Sequence, residues 1–167
     1  MSYVEPGLVG VHHVLDAMFA LFRELVVGGD GRRAHEVLAA YRALTARHAG
    51  DEERHLVPWL GPTARWPAEL YLGQHEKLFT GLDRIALVVT GLRVGAPAWR
   101  GHALAVLDAA APVHHLAEHH HLAEEQDLFV VATAAAPTLL AELAVGWHAA
   151  AAAHAALLAE ARASLGA

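Results

Sequence analysis

The sequence contains no cysteine, which excludes disulfides and thiolate metal sites, so any bound metal must use nitrogen and oxygen ligands. Basic residues are also few, since 12 Lys and Arg stand against 18 Asp and Glu and give a net charge of −6. Because these basic residues are scattered, the chain lacks the positive patch typical of nucleic-acid-binding proteins. We therefore expect neither DNA nor RNA as a partner.

Long uncharged apolar runs are missing too. No such run reaches the roughly 20 residues of a membrane-spanning helix, and the first residues, MSYVEPGLVG, lack the basic start and apolar core of a signal peptide. We therefore expect a cytoplasmic protein that does not bind membranes. The sequence leaves the oligomeric state open.

Sparse β-branched residues and the dominance of alanine and leucine predict an all-α fold. Apolar residues spaced three and four apart predict four helices, at about 8–27, 30–58, 67–90 and 97–134. Asp30 is the expected N-cap of the second helix, and Pro112 is expected to kink the fourth. An alanine-rich segment at about 137–165 predicts an additional C-terminal packing helix.

These elements predict one domain covering residues 1–167, which is a typical length for a single hydrophobic core. The expected architecture is an antiparallel up-down four-helix bundle over about 8–134, with the C-terminal helix packed against it. No linker, charge block or low-complexity tail divides the chain.

One polar cluster occurs twice in the sequence. RHAGDEERHLVPWL at 47–60 is echoed by EHHHLAEEQDLFVV at 118–131, where a histidine again precedes two glutamates by four and five places. His48 with Glu52, and His120 with Glu124, therefore share a helix face one turn apart. One such pair is usually solvated. Two pairs beside apolar stripes would bury the charge of their carboxylates, which is costly. A bound metal cation offsets this cost.

Two further histidines extend the pattern, because His12 and His75 each lie near a predicted helix start and precede apolar residues at plus three and plus seven. In an up-down bundle, the starts of the first and third helices meet the ends of the second and fourth. All six side chains can then reach one layer. Four histidines and two carboxylates suit two metal ions, with both glutamates able to bridge, and these ligands suit iron, zinc or manganese.

Four motifs in series resemble a known family. VHHVL, RHAGDEERHLVP, GQHEKLF and HHHLAEEQDLF cover about 10–131 and are similar to the successive motifs of the hemerythrin-like, or HHE cation-binding, domain. The resemblance implies a four-helix bundle holding a non-haem di-iron centre with carboxylate and oxo or hydroxo bridges. The metal ligands that it implies are His12, His48, Glu52, His75, His120 and Glu124.

The sequence departs from the oxygen-carrying members of that family on the third helix. Those proteins have a second histidine four places after the first, and Phe79 occupies that place here. The missing ligand leaves a position for water, for Glu76 or for an exogenous ligand, and it disfavours reversible oxygen carriage. A single zinc ion remains an alternative.

The register of the fourth-helix ligands has two alternatives. The HHH run at 119–121 allows His121 with Glu125 in place of His120 with Glu124. The apolar residue four places after Glu52 is Leu56, and the residue that matches it is Leu128, four places after Glu124. This match favours His120 with Glu124. Glu53, Glu76 and Glu125 are also candidates to hydrogen-bond the outer nitrogens of ligand histidines.

The resemblance implies binding or sensing of dioxygen, hydrogen peroxide or nitric oxide, or the handling of iron. Two other functional classes stay open. The chain could be a di-iron enzyme with peroxidase- or oxidase-like activity, or a regulatory interaction module whose stability is switched by metal occupancy.

Overall fold

The computed structural model describes residues 6–62 and 64–166, and all the regular structure among them is helical, with no strand. This confirms the predicted all-α class. None of the described helices is both long enough and apolar enough to cross a membrane. The elements, in chain order, are α1 Pro6–Gly28, α2 Gly31–His55, a 3₁₀ turn Val57–Trp59, α3 Ala68–Val89, α4 Trp99–Ala123, a π segment Glu124–Leu128, α5 Phe129–Ala135, α6 Pro137–Ala152 and α7 Ala155–Leu165.

The first four helices contact one another in a ring: α1 with α2, α2 with α3, α3 with α4, and α4 with α1. Each contributes an apolar face to a common core, whose burial from water is the main favourable term in folding. Among the residues in this core are Leu15, Phe22, Leu38, Leu44, Leu82, Ile85 and Val106. Both α6 and α7 pack on α1 and α2 from outside this ring.

The turn between α1 and α2 is tight and is closed by Asp30, as predicted. The Asp30 carboxylate accepts a hydrogen bond of 3.0 Å from the backbone N–H of Arg33, which satisfies a helix N-terminal donor. Gly29 precedes it at φ +77°, and a Cβ there would clash with the side chain of Val94. The turn therefore requires glycine for both conformation and space.

We expect Asp30→Ala to lower the free energy of unfolding of the metal-free protein by about 1 kcal/mol near neutral pH, because the cap is lost. Burial alone would raise the pKa of Asp30, but hydrogen bonds from Arg33 hold it below its usual value. This stabilisation is therefore complete above about pH 4 and disappears as the carboxylate is protonated at lower pH. Urea unfolding at several pH values measures it, and Asp30→Asn, which keeps a capping oxygen, is the control.

Pro112 lies inside α4, which stays helical across it, and the kink expected there stays a prediction. One helix boundary differs from those predicted. The single C-terminal helix predicted at 137–165 is instead two helices, since a turn at Ala153 and His154 separates α6 from α7. Alanine favours helix throughout this segment, so local propensity does not mark the turn, and α7 beyond it packs on α1 and α2.

The π segment that follows α4 was not predicted. Its wider turn is closed by a hydrogen bond from the Phe129 N–H to the Glu124 carbonyl, five residues earlier. Within it, Asp127 accepts hydrogen bonds from the backbone N–H groups of Arg65 and Trp66, at 3.2 and 3.1 Å. The π segment thereby fixes the loop that leads into α3.

Candidate metal centre

The structure brings all six sequence-predicted side chains together in the middle of the four-helix ring. His12 comes from α1, the His48 and Glu52 pair from α2, and His75 from α3; His120 lies in the last turn of α4, and Glu124 begins the π segment. Each of the six is no more than 2% exposed. Ionisable side chains are rarely buried to this degree unless they are paired or bind a metal.

The carboxylate of Glu52 lies between two histidines from different helices. Its Oε1 is 3.3 Å from Nε2 of His48, and its Oε2 is 3.5 Å from Nε2 of His75. One carboxylate group thus faces two imidazoles, with a separate oxygen for each.

The carboxylate of Glu124 has the same arrangement on the opposite side. Its Oε2 is 3.1 Å from Nε2 of His12, and its Oε1 is 2.6 Å from Nε2 of His120. The six side chains therefore form two groups that share both glutamates. In each group the four ligand atoms lie within 4.8 Å of one another: one group is His12, His48, Glu52 and Glu124, and the other is Glu52, His75, His120 and Glu124.

The carboxylates of this cluster lack well-oriented hydrogen bonds. Both oxygens of Glu52, both oxygens of Glu124 and Nε2 of His75 are buried and make none among the described residues, although Nε2 of His120 and Nε2 of His12 lie 2.6 and 3.1 Å from the two oxygens of Glu124. A buried carboxylate with unmet acceptors is costly. Cations would meet these acceptors, and four imidazole nitrogens with two carboxylates are a suitable donor set for iron, zinc or manganese. The residues present therefore fit the two-metal site that the resemblance implies.

Burial and mutual charge shift the pKa values of the cluster strongly in the absence of metal. Burial raises the pKa of Glu52 to about 7, with a further contribution from the negative charge of Glu124. Burial would lower the pKa of His12, but Glu124 and Glu125 raise it to about 9. For His75, Glu124 and Glu52 likewise outweigh burial and raise the pKa to about 10. Without metal, protons on imidazoles therefore balance part of the buried negative charge.

Three of the four histidines are oriented by hydrogen bonds from their outer nitrogens. In each case Nδ1 donates to a side-chain oxygen, which leaves Nε2 directed at the carboxylates and fixes the ring. The pairs are His12 with Glu125 at 2.7 Å, His75 with Glu53 at 2.8 Å and His120 with Gln74 at 2.9 Å.

Sequence reasoning named two of these three partners. Glu53 and Glu125 were expected to hydrogen-bond ligand histidines, whereas Gln74 was missed, although it lies next to His75 on a helix that faces α4. Glu76 was expected to bind metal or to orient a histidine, but it lines a surface groove between α3 and α4. It does not join the cluster.

The fourth histidine, His48, is held by packing and by a 3.0 Å hydrogen bond between its Nε2 and Nε2 of His12. Its Nδ1 has no hydrogen-bond partner among the described residues, and the ring of Trp147 on α6 meets it edge to face at 4.3 Å between centroids. Trp147 donates from its indole N–H to Asp51 at 3.1 Å, and Arg47 donates to the same carboxylate at 2.6 Å. α6 therefore shields this side of the cluster, a contact that the sequence analysis did not predict.

The alternative ligands of the fourth helix lie outside the cluster. The ring of His121 stacks on that of His12 at 4.1 Å and 4°, and Glu125 bonds the outer nitrogen of His12. The structure thus places His120 and Glu124, and not His121 and Glu125, at the centre. Phe79 lies under the guanidinium of Arg42, at 5.6 Å, and supplies no ligand atom.

Comparisons of the chain with family models, with curated proteins and with solved structures found no match.

Proposed function

We propose that the chain is a hemerythrin-like protein that binds two iron ions without haem and uses them to bind or sense dioxygen, hydrogen peroxide or nitric oxide. The observation that carries the proposal is the placement of the two glutamates. Each directs one oxygen to the His12 and His48 half of the cluster and the other oxygen to the His75 and His120 half. Two cations bridged by both carboxylates would meet every unsatisfied oxygen.

The proposal includes a single-domain, antiparallel up-down four-helix bundle formed by α1 to α4. His12 and His75 lie within about two turns of their helix starts, whereas Glu52 and His120 lie in the last turn of theirs. These residues meet in one layer, and the four helices contact one another in chain order. Neighbouring helices that run in alternating directions account for both facts.

In this proposal the protein contributes ligands, orientation and exclusion of water. His12, His48, His75 and His120 would hold the metals from Nε2, with Glu52 and Glu124 as bridges. Iron held in this way would supply redox chemistry toward a small ligand. Phe79 provides no additional ligand on α3, which supports a site that is open to such a ligand. On the opposite side, Trp147 packs on His48 and keeps water away.

Metal analysis of protein purified without a histidine tag tests the proposal. We expect about two iron ions per chain, as in di-iron carboxylate bundles, and an absorption band from bridged ferric iron. A single zinc ion, or no metal after iron has been supplied to the unfolded and refolded chain, would contradict it. Turnover of hydrogen peroxide well above that of free iron would identify an enzyme instead of a binding protein.

Gln74 provides a test that leaves all six proposed ligands in place. We expect Gln74→Leu to weaken metal binding by about 10–100-fold, because His120 loses the acceptor that orients its ring. The control is Gln126→Leu, since Gln126 is exposed and its one side-chain hydrogen bond within the described residues is with Arg65. Competition with a chelator measures both affinities, and equal values for the two variants would show that Gln74 does not act on the site.

A further inference from the structure

A polar cavity lies between α1 and α4, directly beside the proposed metal centre. Its volume is about 220 Å³, and its walls include His12, Asp16, Glu118, His121 and Glu125. The side chains of Asp16 and Glu118 are 50% and 55% exposed, so this wall faces solvent. His12 belongs both to the cavity and to the central cluster, so only one side chain separates the two.

His121 is the buried group that indicates a ligand in this cavity. It is 6% exposed, and in the part of the chain that the structure describes its Nδ1 has no hydrogen-bond partner. Stacking on His12 fixes the ring, and Nδ1 then lies 3.6 Å from Oδ1 of Asp16. Two ligands that each lie about 2.1 Å from one cation are separated by about 3–4 Å, so this pair has a suitable spacing for a shared ion.

The charge around the cavity favours a cation. Asp16, Glu118 and Glu125 line it together with histidines, and no Lys or Arg of the described chain does so. By contrast, four larger cavities on the surface are each lined by at least one Lys or Arg. A divalent metal ion in this cavity would be stabilised by both the carboxylates and the imidazole.

We propose that Asp16 and His121 bind a divalent transition-metal ion at the surface, and that this ion is the one that loads the central site. Glu118 and water complete its coordination. The outer site binds weakly because it has few protein ligands, whereas the central cluster offers four in each half. Transfer of the ion from the outer site to the central cluster therefore lowers the free energy. The loading role rests on the proposed function, but the existence of the outer site does not.

Cobalt(II) binding to metal-free protein tests both parts. Equilibrium dialysis counts bound ions, and stopped-flow absorption gives the rate at which the central site fills. The test variant is Asp16→Asn, and the control is Asp108→Asn, which removes the same charge from α4 at a distance from the cavity. We expect wild type to bind ions tightly in the central cluster and one more ion weakly in the outer site. Asp16→Asn should lose only the weakly bound ion.

We also expect Asp16→Asn to fill the central site about tenfold more slowly, because the local metal concentration falls, while reaching the same end point. Asp108→Asn should behave like wild type. If Asp16→Asn retains the weak ion, the outer site is disproved; if it loads as fast as Asp108→Asn, the loading role is disproved. Failure of the proposed function gives a different result, in which tight ions are missing from wild type and the weak ion is still bound.

Discussion

Replacing His48 and His120 together by alanine is expected to abolish tight metal binding. The variant removes one imidazole from each of the two groups of ligand atoms, so each proposed ion keeps a single histidine. We expect bound iron to fall from about two ions per chain to nearly none, since both proposed ions lose a ligand. Metal analysis after purification without a tag measures this directly.

The same variant should remove the stabilisation that metal gives to the fold. Two sites, each at a free metal concentration 100 times its dissociation constant, would contribute about 5 kcal/mol. In a chain of this size that corresponds to a rise in Tm of about 10–20 °C, which we expect for wild type and not for the variant. The control replaces His115 and His119, an exposed pair in contact on α4. A double His48 and His120 variant with full metal content would refute the proposed site.

Replacing Glu52 by methionine is expected to have opposite effects with and without metal. In metal-free protein both Glu52 oxygens are buried without a well-oriented hydrogen bond among the described residues, so an apolar side chain of similar length removes the cost of these unsatisfied acceptors and should raise the free energy of unfolding by about 1–3 kcal/mol. His75 is not left unpaired, because Glu53 and Glu124 still face it. With metal, the variant lacks a bridging ligand, so added iron should no longer raise its Tm.

The gain from Glu52→Met should also depend on pH. Because burial raises the pKa of Glu52 to about 7, the group is neutral in the folded protein at about pH 5 and charged at about pH 8. Its cost to the metal-free fold therefore grows with pH, and the gain should be larger at the higher value. Urea unfolding measures this, with Glu36→Met as control, because Glu36 on α2 is 39% exposed and pairs with Arg32 outside the cluster. A less stable metal-free Glu52→Met protein would mean that neighbouring imidazolium groups already compensate the carboxylate.

The central cluster could be predicted because it depends on short sequence spacings. His48 and Glu52 share a helix face wherever α2 is placed, and so do His120 and Glu124 on their helix. The likeness of segments 47–60 and 118–131 then identified the two pairs. Because both pairs lie near the ends of their helices, an up-down bundle brings them to the same layer as His12 and His75. The Asp30 cap was predictable for the same reason, because it needs only the next three residues.

Features that depend on packing between helices could not be predicted in this way. The bond from His120 to Gln74 joins residues 46 positions apart, and the bond from Trp147 to Asp51 joins residues 96 positions apart. Neither pair has a recurring spacing. The turn between α6 and α7 was also missed, because alanine on both sides gives no local preference for a break.

The π segment changes how α4 and α5 should be aligned with the helices of other chains. An α-helix turns about 100° per residue, and the wider turn at Glu124–Leu128 accommodates roughly one extra residue. The positions of α5, Phe129–Ala135, are therefore rotated by about 100° relative to regular periodicity. An alignment that extends ideal heptads from α4 into α5 would misplace the inward-facing positions after Glu125, and would need a one-residue gap there to restore the correspondence.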